Sequence, residues 1–136
     1  MLYFENTAGH LEVEPTGFLR LTWHSVHTQQ REGVRPLLEA ALQALRDTGL
    51  ERVLVDQRAR LIHREEDTIW MLLDFFPRLM DQTHYRYGAY LESAEFFTRS
   101  ETRHLMAEAH TRYGVPCRYF GTEDEAVAWL LKQVDK

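Results

Sequence analysis

A chain of 136 residues with a formal charge of -5 has the length of one ordinary domain and lacks the dense basic surface that generic nucleic-acid binding requires. Its 44% hydrophobic and 27% charged residues are close to globular averages, which excludes a disordered or fibrous chain and gives no charge basis for attraction to acidic lipid. A single cysteine, Cys117, excludes an internal disulfide and a cysteine-only metal site; between Pro116 and Arg118 it reads as a packed thiol in a buried strand. No segment reaches the ~20 apolar residues that span a bilayer, and Met1 to Asn6 lacks a basic leader, so the expectations are no membrane insertion and a cytoplasmic location.

Leu2 to Asn6 and Leu11 to Glu14 read as antiparallel strands joined through Thr7-Ala8-Gly9-His10, and the alternating run Phe18 to Trp23 makes a third strand. Val34, Leu37, Leu38, Ala41, Leu42 and Leu45 recur at helical spacing, with Pro36 in a first turn and Gly49 at the C-cap. Arg52 to Asp56 has the consecutive apolar residues of a central strand covered on both faces. The next helix opens at Glu65-Glu66-Asp67 and carries Ile69, Leu72, Leu73, Phe76 and Met80 as its apolar stripe, with a kink or an end expected near Phe76 because of Pro77.

Tyr85 to Leu91 reads as a strand, and Thr98-Arg99-Ser100-Glu101 has the spacing of a capping box that starts a third helix, ended by Gly114. Val115 to Phe120 gives the last strand. Thr122 to Glu125 then caps a helix that buries Ala126, Trp129, Leu130 and Val134. The order implies one α/β domain: a single-layer, mostly parallel sheet of five or six strands, an N-terminal antiparallel hairpin and four flanking helices.

The chain carries no GxGxxG or GxxxxGK phosphate loop and no GxSxG elbow, and no catalytic residue, metal site or cofactor is expected from its motifs. His24 and His27, three apart, have no third ligand at metal spacing and read as polar surface. Attention falls on the stretch from Val53 to Trp70, because ligands and switches collect past the carboxyl ends of parallel strands. Asp56, Arg58, His63, Glu65, Glu66, Asp67 and Trp70 are its candidate partner- or ligand-binding residues. Each has an ordinary alternative: the carboxylates serve a helix N-terminus, the arginines form a solvated salt-linked edge, His63 is a loop histidine, and Trp70 packs on the sheet.

Val53-Leu54-Val55-Asp56, the acidic helix start before Trp70, and Tyr119 to Leu130 with its Ala-x-x-Trp-Leu ending together resemble bacterial proteins of the SpoIIAA-like superfamily, the STAS domains and their relatives. The resemblance implies a non-enzymatic regulatory module that binds a protein partner or itself as a homodimer. STAS domains that antagonise anti-sigma factors carry Asp-Ser-Ser/Thr-Gly, whose serine is phosphorylated. Counted without gaps from Asp56, that motif falls on Arg64, Glu65, Glu66 and Asp67, so the resemblance does not bring the phospho-switch with it. A second reading, from CRAL-TRIO folds sometimes grouped with STAS domains, is a carrier or sensor of a small hydrophobic ligand held by Trp70, Phe75, Phe76 and Met80, which needs a cavity of roughly a few hundred Å³. A third is an acid/base enzyme using His63 with Glu66 or Asp67.

Overall fold

A computed structural model of the chain describes residues 1–25, 32–60 and 63–133. His27 and Val134, both named above, lie outside the described residues. Three strands open the fold, β1 (Leu2–Asn6), β2 (Gly9–Glu14) and β3 (Phe18–Trp23), followed by α1 (Val34–Thr48) and β4 (Arg52–Asp56). One helical body then runs through α2 (Glu65–Trp70), a π-helical turn (Met71–Phe75) and α3 (Phe76–Gln82). β5 (Tyr87–Leu91), α4 (Phe96–Tyr113), β6 (Arg118–Phe120) and α5 (Glu123–Lys132) complete the chain.

The six strands lie in sequence order, β1 to β3 antiparallel and β3 to β6 parallel, so the expected α/β architecture with its hairpin is what forms. Alternation along the strands divides the core in two. Leu11, Leu19, Leu21, Trp23, Val53 and Val55 point to one face and meet α1, the π turn, α3 and α4. Phe18, Leu54, Ala89 and Leu91 point to the other and meet Ala126 and Leu130 of α5. β4 is covered on both faces, and complete burial of each such aliphatic side chain stabilises the fold by about 1.5–3 kcal/mol. None of the helices among the described residues is long and apolar enough to cross a membrane.

Most local signals act as they read. Gly49 closes α1 at φ 70°, its N–H donating to Leu45 O at 2.9 Å. The Thr122 hydroxyl accepts from Glu125 N at 3.3 Å as α5 begins, with three acidic residues in the first turn. Gly88 is required by packing: a Cβ there would stand 1.9 Å from Tyr85 Oη, which donates to Pro116 O at 2.9 Å and ties the entry of β5 to that of β6.

Several expectations are corrected. Pro77 does not end its helix. Phe76 N–H bonds back to Met71 O, five residues away, and Pro77 then enters in the first turn of α3, where a missing donor costs little. The inserted turn rotates the buried face onto Asp67, Met71, Phe75, Phe76 and Leu79, leaving Ile69 49% and Leu73 58% exposed. α4 starts two residues before Thr98, because the Glu95 carboxylate accepts from Phe97 N and Thr98 N at 3.0 and 2.6 Å; Thr98 is an interior, buried residue. β5 and β6 are shorter than read, beginning at Tyr87 and Arg118. Cys117 therefore precedes β6 rather than lying inside it, half-buried, and desolvation pushes its thiol up to about 12.

Candidate functional site

The carboxyl ends of β3 and β4 open onto a knot of charge. Asp56, the last residue of β4, accepts from Arg58 N at 3.0 Å and from the Arg58 guanidinium at 3.0 and 2.8 Å. Burial works to raise the Asp56 pKa, but the Arg58 hydrogen bonds and the charges of Arg58 and Arg20 outweigh it and hold the carboxyl below its usual range. Arg58 also reaches Glu123 at 3.3 Å, and Arg20 bonds the same carboxylate at 3.1 Å, so this edge is clasped to the start of α5.

Arg60 turns inward instead. Its guanidinium, on a residue only 3% exposed, donates to Glu101 Oε1 at 2.8 Å and to Thr102 Oγ1 at 2.7 Å. The Thr102 hydroxyl faces Gln57 Oε1 at 2.8 Å and Thr98 O at 3.1 Å. Glu101 in turn accepts from His63 N at 3.2 Å. The sequence does not announce Glu101, Thr102 and Gln57 as partners of this edge: Glu101 reads as the last residue of a capping box, and nothing in the spacing of the three points to an arginine from the β4–α2 connection.

The remaining candidates separate. Asp67 is fully buried and held by Arg35 Nε at 3.0 Å and Arg64 Nε at 3.1 Å. Arg35 also lies over the Trp70 ring at 5.2 Å, and Trp70 stacks on Phe75 at 5.5 Å, so α1 grips the start of the helical body through one cation. Glu65 and Glu66 are exposed, with Arg64 3.6 Å from Glu66. Each Asp67 oxygen accepts from an arginine, Oδ1 from Arg35 and Oδ2 from Arg64. The His63 ring meets Trp23 edge-on at 5.0 Å. Arg58, Arg60 and Arg64 are each ion-paired, as the salt-linked reading has it, but Arg60 is buried rather than solvated.

Two concavities adjoin this edge. Beneath it, between the sheet and the helices, is a chamber of about 70 Å³, walled by residues such as Leu21, Val55, Phe75 and Met106, with Gln57, Arg60, His63 and Thr102 at its polar end. Trp23 lines the chamber, and its Nε1 is buried without a hydrogen-bond partner among the described residues. Phe75 and Phe76 are in the wall; the volume is well below the few hundred Å³ that a lipid-sized ligand needs. Outside, between the helical body and α4, runs an open groove of about 420 Å³ lined by Thr68, Leu72, Phe97, Ser100, Glu101, His104, Leu105 and Glu108.

Comparison with known proteins returns nothing to set beside this geometry: no family model, no curated protein and no solved structure matches the chain. The functional reading therefore rests on the side chains themselves.

Proposed function

We propose that this chain is a non-enzymatic, STAS-like interaction module whose docking face is the groove between the α2–α3 body and α4. The observation that carries this reading is the set of large apolar side chains exposed around one concavity. Phe96 and Phe97 are 63% and 68% exposed and meet edge-on with ring centroids 5.4 Å apart, while Ile69 and Leu73 stand exposed beside the groove residues Thr68 and Leu72. Large apolar side chains exposed on adjoining elements mark an interaction site more often than scattered single residues do. Exposed Glu65 and Glu66 open the helix adjoining the groove, whose lining also holds Glu108, shared with Arg112, in a chain already at -5. Its occupant is accordingly a protein segment with an apolar ridge and a basic flank, because a second copy would bring like charge to the same rim.

Capture from an extract of the parent cells, with light scattering on the purified chain, tests this reading against Leu73→Glu, an exposed substitution that leaves stability within about 0.5 kcal/mol. A bound protein that the variant loses at least tenfold at unchanged Tm supports it. Identical capture by both proteins, or a strict monomer that captures nothing, overturns it; a homodimer abolished by the variant would move the occupant to a second copy.

A second reading is favoured by one observation: Trp23, which lines the apolar chamber, has a buried Nε1 with no hydrogen-bond partner among the described residues. A compact molecule with an acceptor atom would satisfy it, and at about 70 Å³ the chamber takes less than the ~150 Å³ apolar cavity that admits benzene. Native mass spectrometry of freshly purified protein checks for it, and an unliganded mass throughout removes this reading.

A further inference from the structure

At the end of the sheet away from α5, the register brings together side chains that are distant in sequence. Glu5 of β1 pairs with His10 of β2, and His10 pairs with Thr22 of β3. His24 follows two residues beyond Thr22, its N–H donating to Ala8 O at 2.8 Å and so prolonging the strand ladder. With a period of two, Glu5, His10 and His24 project from one face of three adjacent strands. Their ligand atoms all lie within 4.8 Å of one another, and His10 Nδ1 stands 2.8 Å from His24 Nε2.

We infer that Glu5, His10 and His24 form a binding site for a first-row divalent cation, zinc being the ion that suits two imidazoles and one carboxylate at an open position. Zinc bonds of about 2.0–2.2 Å require ligand atoms about 3.3 Å apart in a tetrahedron, and rotation of the exposed Glu5 side chain closes the longer separations. The arrangement around His10 supplies an independent argument. Its second nitrogen, Nε2, is 3.2 Å from Glu12 Oε1, the carboxylate two residues along the same strand face. A carboxylate that accepts from Nε2–H fixes the tautomer and leaves the Nδ1 lone pair facing His24 and Glu5, as outer partners of metal-bound histidines do.

Without an ion, His24 Nε2–H donates to that lone pair. On binding, His24 changes tautomer, its proton passing through water from Nε2 to its own Nδ1, so that His10 Nδ1 and His24 Nε2 both present lone pairs and the cation takes the place of the shared proton. Three protein ligands leave a fourth position for water or for an atom of a partner molecule. The ion would also bridge all three antiparallel strands.

Zinc titration of the full chain by calorimetry tests the site, with His10→Ala, His24→Ala and the exposed His104→Ala compared with wild type. One equivalent should bind per chain, at least tenfold more weakly in His10→Ala and His24→Ala and unchanged in His104→Ala. Long-range ¹H–¹⁵N spectra of wild-type imidazoles provide a readout that needs no variant: the His10 Nδ1 and His24 Nε2 resonances should shift together at one equivalent. Absence of saturable binding, binding retained by both variants, or shifts confined to other histidines overturns the inference.

Discussion

The carboxyl edge of β4 places Arg58, Arg60 and Arg64 close together in sequence, and each ends in an ion pair, with Asp56, Glu101 and Asp67 respectively. The open end of the hairpin places Glu5, His10 and His24 far apart in sequence, and their donor atoms face one another. Charge density along a chain measures how many ionic groups a region must accommodate, and a folded edge accommodates them by pairing. Chemistry available to a ligand arises where groups of the same kind, all electron-pair donors here, are forced to converge by register. The first region consequently stabilises the fold and frames the chamber and the groove, while the second is poised to hold something.

Breaking the buried pair should have the largest effect. Arg60→Met leaves the partly buried Glu101 carboxylate without its cation and strips Thr102 of its donor, and urea unfolding should show a loss of about 3 kcal/mol. A loss below about 1 kcal/mol would mean that this edge is not the structural one. Asp56→Asn should cost less, about 1 kcal/mol at pH 7, since Arg58 is half exposed. The sign with pH follows from the lowered carboxyl pKa: the charged form favours the folded state, so the contribution is complete above the unfolded value of about 3.9 and is lost as pH falls through the lower folded value. Wild type and Asp56→Asn should therefore converge in stability as pH drops below about 4, and a gap that widens instead would reverse the assignment.

The smallest effect belongs to the hairpin. His10→Ala removes a partly exposed ring whose neighbours are His24 and Glu12, and in metal-free protein it should change stability by only about 0.5 kcal/mol. A loss as large as that of Arg60→Met would make both regions structural and erase the contrast.

Strands, their hairpin, the helix order and the glycine caps were legible from residue to residue, because each depends on local backbone preference and on alternation with a period of two or 3.6. The helical face after β4 departs from its apparent periodicity for a local reason with a tertiary outcome: the π turn before Pro77 adds a residue to the winding and leaves Ile69 and Leu73 on the surface rather than in the core. The start of α4 shifted because Glu95, outside the usual capping types, accepts two helix N–H groups and frees Glu101 to meet Arg60.

Within the candidate edge, Asp56 and Arg58 were legible together, being two residues apart across a turn. Asp67 reads from the sequence as a binding candidate, and only packing shows it sealed between Arg35 and Arg64. His10, His24 and Glu5 were beyond sequence altogether, since strand register sets their convergence. By itself the amino-acid order determined the α/β class, the succession of elements and the absence of the common phosphate and nucleophile motifs, all properties of nearest neighbours and periodicity. The tertiary structure alone decided which charges are spent on one another, which apolar faces remain open and which ligand atoms meet, because these depend on distances between segments that no local preference encodes.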